Sequence, residues 1–179
     1  MSEDTIQKRE ILMNSARLMI LSVIILFGVM IIPATAQSTA NQVGPVTAEE
    51  ITDHDRIFSI YVDRYDPDRE AIEYLSSQED SLVLYIFFGN WCRESKKYIP
   101  GLIKTLKMLD SDLIEVTYIG VDEQKKYPES FLNKFDIKYI PTVVVLKGGF
   151  EIGRIEEKPQ RPIESDLVQI LKRHKGQSN

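Results

Sequence analysis

Apolar and polar positions along this chain fall into one unbroken apolar block followed by a series of short periodic segments. The block is residues 18 to 32, LMILSVIILFGVMII, which carries no charge. Lys8, Arg9 and Arg17 precede it, and PATAQ follows, placing the small residues Ala34 and Ala36 where a signal peptidase requires them. A span needs about 20 residues at about 1.5 Å each, so the run is short for a bilayer. Residues 1–36 therefore read as a cleaved export signal, with an uncleaved N-terminal anchor as the alternative. No cysteine closes the run, against a lipid anchor. Residues 37–45, QSTANQVGP, are small and polar and read as a linker.

Periodicity then predicts the rest. In VTAEEITDHDRIFSIYVDRY, Thr47 stands ahead of Glu49 and Glu50 and before Ile51, Ile57, Ile60 and Tyr61, a pattern of capped helix. Phe58, Ile60 and Val62 alternate enough to leave a strand open. DPDREAIEYLSS reads as a second short helix, with Pro67 near its start. These segments make residues 46–79 a helical extension. SLVLYIFFG is a continuous apolar run of strand length and predicts a buried central strand. A helix from Trp91 to Leu109 follows, with Ile99, Leu102, Ile103, Leu106 and Leu109 on its inner face and Pro100 within it. LIEVTYIGVD, PTVVVLKGG and FEIGRIEE predict three more strands, the last two joined at Gly148 and Gly149. PESFLNKFDI and IESDLVQILKRH predict helices, the latter with Glu164 and Asp166 in its first turn and Lys172, Arg173 and His174 in its last. Strand, helix, strand, helix, hairpin and closing helix describe an α/β fold with a mixed sheet flanked by helices, occupying residues 80–175.

Charge and composition narrow the function classes. The 179 residues carry a net charge of −5, and the leader's three basic and three acidic residues cancel, so the remainder keeps all of it. That balance lacks the basic stripe of a nucleic-acid binder. The chain has one cysteine, Cys92. Exported proteins usually hold cysteines in pairs, so a lone thiol is either buried and inert or kept for chemistry. His54 lies in a polar segment and His174 at a helix end, and without a second nearby ligand neither supports a metal site; no cofactor is expected.

The chemistry concentrates in FFGNWCRESKKYIP, residues 87–100. A cysteine in the first turn of a helix faces unpaired backbone N–H groups and the positive end of the dipole, which favours the nucleophilic thiolate. Trp91-Cys92 opens a helix straight after a buried strand, Pro100 follows eight residues on, and DIKYIPTVVVLKGG places Pro141 ahead of a strand and a glycine turn. In this order and spacing the segment from residue 80 to 173 resembles the thioredoxin family. NWCRESKKYIP is similar to exported thioredoxin-like proteins whose site reads W-C-x-[DE]-S-K.

The resemblance implies a thioredoxin-like sheet with Cys92 as nucleophile, a cis-proline at Pro141, and an Ile140 backbone exposed for an extended peptide to pair with. Trp91 is implied as a lid or substrate contact. The departures are equally specific. Ser95 stands where a thioredoxin has its resolving cysteine; its hydroxyl can hydrogen-bond to the thiolate, but release of a mixed disulfide then needs an outside thiol. The family's buried acid corresponds to Ile86 and its lysine partner to Tyr118. Around Cys92, Glu94 opposes Arg93, Lys96 and Lys97 in sign. Tyr61, Tyr65 and Tyr74 are expected to pack the N-terminal helices on the sheet.

Two functions are expected. One is a monothiol thiol–disulfide oxidoreductase of the cell envelope, forming mixed disulfides with exported proteins or a low-molecular-weight thiol; the other is a non-catalytic module that holds exported proteins in the same groove. A one-cysteine peroxidase is a minor third, since the P-x-x-x-T-x-x-C pattern is missing. Localisation is expected to be periplasmic or membrane-anchored facing the periplasm, with membrane contact only through residues 18–32.

Overall fold

A computed structural model describes residues 41–109 and 111–177, all within one compact unit, Gln37–Asn179. The export or anchor segment and the start of the linker lie outside the described residues. Numbered along these residues, the elements are β1 (Gly44–Val46), α1 (Ala48–His54), α2 (Arg56–Arg64), α3 (Arg69–Ser76), β2 (Leu82–Phe88), α4 (Arg93–Leu109), β3 (Ile114–Gly120), α5 (Glu129–Lys134), β4 (Thr142–Lys147), β5 (Phe150–Glu156) and α6 (Ile163–Gln177).

The strands form one sheet in the order β1-β3-β2-β4-β5. β2 runs parallel to β3 and antiparallel to β4, and the other pairs are antiparallel, so the sheet is mixed as expected. The central position of β2 explains its unbroken apolar run. Successive side chains leave a strand on opposite faces, and both faces here are covered. Leu84, Ile86 and Phe88 pack with Phe58, Leu102 and Leu167 from the helices of one layer. Phe87 and Tyr85 face the other way, into a smaller core with Ile119, Val144, Phe135 and Ile140.

Two sequence expectations are corrected. The segment 37–45 is not linker throughout, because Gly44–Val46 adds an antiparallel strand to the edge of β3, with Gly44 opposite Gly120 and Val46 opposite Tyr118. Three residues are too few for a period to show, and Pro45 suits an edge strand. The contact depends on Gly120, where any side chain would run into the Gln42 backbone. The helical reading of 47–65 holds, but as two helices. Asp55 adopts an extended conformation (φ −127°, ψ 109°), ending α1 and capping α2 by accepting the Ile57 N–H at 2.8 Å. Thr47 and Glu50 form the capping box of α1. Phe58 and Val62, one turn apart, are buried, so the helical period overrides the local alternation.

A buried polar cluster helps tie the N-terminal extension to the rest. Glu164, at the start of α6, is wholly buried and accepts the Tyr65 hydroxyl and the Asp68 N–H, both at 2.8 Å. The Tyr65 ring lies against α4 at Gly101, where a Cβ would come within 2.8 Å of it. Burial first, then the Glu164 carboxylate, pushes the Tyr65 phenol above its ordinary value.

Candidate functional site

Cys92 sits between the end of β2 and the start of α4. Its N–H donates to the Gly89 carbonyl at 3.0 Å, closing a tight turn, and its carbonyl accepts the Lys96 N–H at 3.1 Å. It is therefore the residue that caps α4, and the regular helix begins at Arg93 rather than at Trp91. The cysteine is half-buried, and its Sγ lies 3.7 Å from the Ile140 carbonyl oxygen. Ile140 and Pro141 are joined by a cis peptide bond, the conformation the sequence resemblance implies. A second cis peptide joins Tyr127 and Pro128.

Pro141 is held on its far side, where its carbonyl accepts the Glu157 N–H at 2.7 Å. The Ile140 side chain is buried in the smaller core. Among the described residues, the Ile140 N–H has no acceptor and its carbonyl has only the weak thiol donor. One backbone donor and one acceptor of Ile140 thus remain, the acceptor 3.7 Å from the sulfur.

Trp91 has a defined structural task. Its Nε1 donates to the Val121 carbonyl at 2.9 Å, fastening the turn before α4 to the end of β3. The indole passes so close to Gly89 that a Cβ there would stand 2.7 Å from Nε1 and 3.1 Å from the Ile140 Cδ1. Gly89 is what allows Trp91 and Ile140 to close around the end of β2.

Ser95 is buried completely, and its hydroxyl accepts the Gly89 N–H at 3.1 Å. The bond to the Cys92 sulfur considered from sequence is not the contact observed; the thiol is directed to Ile140 instead. The charged neighbours are each engaged elsewhere. Glu94 pairs with Arg93 at 3.1 Å, Lys97 lies 4.8 Å from the centre of the Tyr98 ring, and Lys96 pairs with Asp55 at 3.0 Å. Asp55 thereby joins the N-terminal extension to the first turn of the helix that carries Cys92.

The positions compared with the family's buried acid and lysine are apolar. Ile86 and Tyr118 are register partners on β2 and β3, both buried, and burial, with a smaller contribution from Glu49, pushes the Tyr118 phenol above its ordinary value. Among the described residues no group of three or more histidine, cysteine or acidic side chains could hold a metal ion.

The Thioredoxin family model matches residues 69–173, more than half of the chain, and covers Cys92, Ser95 and Pro141. The chain belongs to the thioredoxin family. β1, α1 and α2 precede the matched region. Relatives of this thioredoxin-family chain include a thioredoxin from Echinococcus granulosus, 30% identical over 88 residues that cover 49% of the chain and 76% of the relative. A protein disulfide-isomerase from Ricinus communis is 30% identical over 101 residues, 56% of the chain and 20% of the isomerase. The chain thus spans about a fifth of the length of the disulfide-isomerases it matches. Among solved structures, an HIV epitope-scaffold is similar in fold, with a TM-score of 0.54 and 16% identity, covering 71% of the chain and 87% of the scaffold.

Proposed function

We propose that this thioredoxin-family chain is a monothiol thiol–disulfide oxidoreductase that works through mixed disulfides in the cell envelope. The observation that carries the reading is a half-buried thiol capping α4, 3.7 Å from a backbone carbonyl that retains bonding capacity. An extended partner pairs with Ile140 and brings its disulfide to Cys92. The Cys92 thiolate attacks one sulfur, the partner's S–S bond breaks, and the other sulfur leaves as a thiolate. A low-molecular-weight thiol then attacks the mixed disulfide and returns Cys92 to the thiolate. A second such thiol completes the two-electron reduction by forming a disulfide with the first. Ser95 takes no covalent part, since a hydroxyl cannot form the internal disulfide.

Export is supported by the apolar run at 18–32 and the small residues Ala34 and Ala36. Among the described residues, no helix is long and apolar enough to cross a membrane. The partners are exported protein disulfides or a low-molecular-weight thiol, with no nucleic acid and no cofactor.

A holding module is the second reading, favoured by the apolar Ile86–Tyr118 pair, which offers no carboxylate to relay a proton. Oxidised glutathione separates the two. The oxidoreductase acquires one glutathionyl adduct at Cys92, visible by mass, and loses it with turnover when reduced glutathione is added. An adduct that never forms, or forms and persists under excess thiol, refutes the catalytic reading.

A further inference from the structure

Between β5 and α6 lies a cleft of about 460 Å³, within the range of about 300–1,000 Å³ usual for ligand sites. Its floor is apolar, made by the buried Ile155 and Ile170. Its walls carry four cations, Arg154, Lys158, Arg161 and Arg173, against two acids, Glu156 and Asp166. This excess of positive charge stands on a chain whose net charge is −5.

The cations are not equally available. Arg154 is committed to Glu151 at 2.6 Å and also donates to the Phe135 carbonyl. Arg161 pairs with Asp166 at 3.3 Å and keeps half of its side chain in solvent. Lys158 and Arg173 are exposed, and among the described residues neither has a carboxylate partner; Arg173 donates through Nε to the Gln169 carbonyl. From Asp166 to Arg173 the cleft's lining runs about 10 Å along α6 at about 1.5 Å per residue, and Lys158 lies just past β5. A cleft of that length suits an extended segment of about three residues at about 3.3 Å each, rather than a single anion.

The cleft's near end borders the thiol site. Glu156 is paired with Thr142, the residue after Pro141, and the Glu157 N–H donates to the Pro141 carbonyl. We propose that the β5–α6 cleft is a docking groove for an acidic, extended segment of the partner protein whose disulfide meets Cys92. The inference rests on the exchange reading for the partner's identity, but its own test does not use the thiol.

The probe is a fluorescein-labelled hexaglutamate peptide titrated against the full chain and followed by anisotropy at low salt. Lys158→Glu/Arg173→Glu weakens binding at least tenfold, whereas the charge-matched Lys126→Glu/Lys172→Glu leaves it unchanged. Cys92→Ser also leaves it unchanged, so failure of thiol exchange with retained peptide binding sinks only the catalytic reading. Three results overturn the groove: no binding, equal weakening by both double variants, or competition by free glutamate or inorganic phosphate at the concentration at which unlabelled hexaglutamate competes.

Discussion

The Ser95 hydroxyl, wholly buried, accepts the Gly89 N–H across the turn that carries Cys92. Serine in this position is therefore a structural fastening for the turn as well as a replacement for a resolving thiol. Ser95→Ala leaves a buried donor without a partner and is expected to cost about 1–3 kcal/mol, read from urea unfolding. Ser95→Cys restores a second thiol three residues from Cys92. The expected outcome is release of a preformed glutathionyl adduct in the absence of added thiol. An adduct on Cys92 as long-lived as in the parent protein would show that the two sulfurs cannot meet.

Gly89 should be intolerant for a different reason. A methyl group there collides with the Trp91 indole and approaches Ile140, so Gly89→Ala must turn the indole away from the Val121 carbonyl. A loss of about 1–3 kcal/mol follows from overpacking. Trp91 is the only tryptophan of the chain, so its fluorescence reports the displacement directly. Unchanged emission together with unchanged stability would contradict the packing described.

The buried Glu164 predicts a stability loss, and two raised phenols predict a pH dependence. Glu164→Ala strands the Tyr65 hydroxyl and the Asp68 N–H, an expected cost of about 3 kcal/mol or more. The phenols of Tyr65 and Tyr118 are both raised in the folded state. Their contribution is complete below the unfolded phenol value of about 10 and is lost as pH rises above it, because the unfolded chain then releases protons that the folded chain retains. Stability should fall on the alkaline side of about pH 10, and less steeply in Tyr65→Phe. Equal slopes in parent and variant would remove Tyr65 from the account.

The proposed export makes a prediction about place. In a bacterial host, a membrane-impermeant maleimide should label Cys92 once the outer envelope is opened and before the inner membrane is lysed. Cleavage after Ala36 should leave a mature chain beginning at Gln37. Labelling only after complete lysis would put the protein on the other side of the membrane.

Much of this arrangement is legible in residue order, and what is not has a physical cause. β2, α4, β4 and α6 are visible because each buries enough apolar positions to impose its pattern, and β5 because the Gly148-Gly149 turn ties it to β4. Cys92, Trp91 and Pro141 are readable because helix start, buried strand and proline fall at suitable spacings. β1 is invisible because an edge strand of three residues carries no period, and the break at Asp55 because the same acid can sit inside a helix or cap one. Ser95 stands out in the sequence, but its partner does not, since a hydroxyl serves several acceptors and donors and only the fold decides between Gly89 and Cys92. The Glu164 cluster is missed for a related reason: an acid in the first turn of a helix is already explained locally by the dipole, which hides its bond to Tyr65 from the far end of the chain.

The pairing of Gly44 with Gly120 has a consequence for the order of assembly. β1 stands near the front of the chain, whereas its partner follows β2 and α4. In N-terminus-first synthesis or passage across a membrane, β1 is ready long before the edge it will cover exists. The sheet thus cannot be closed at that border until β3 has formed, and it is closed there by a segment that has waited. Any factor that captures the waiting segment acts as a brake on completion of the fold without touching the thiol.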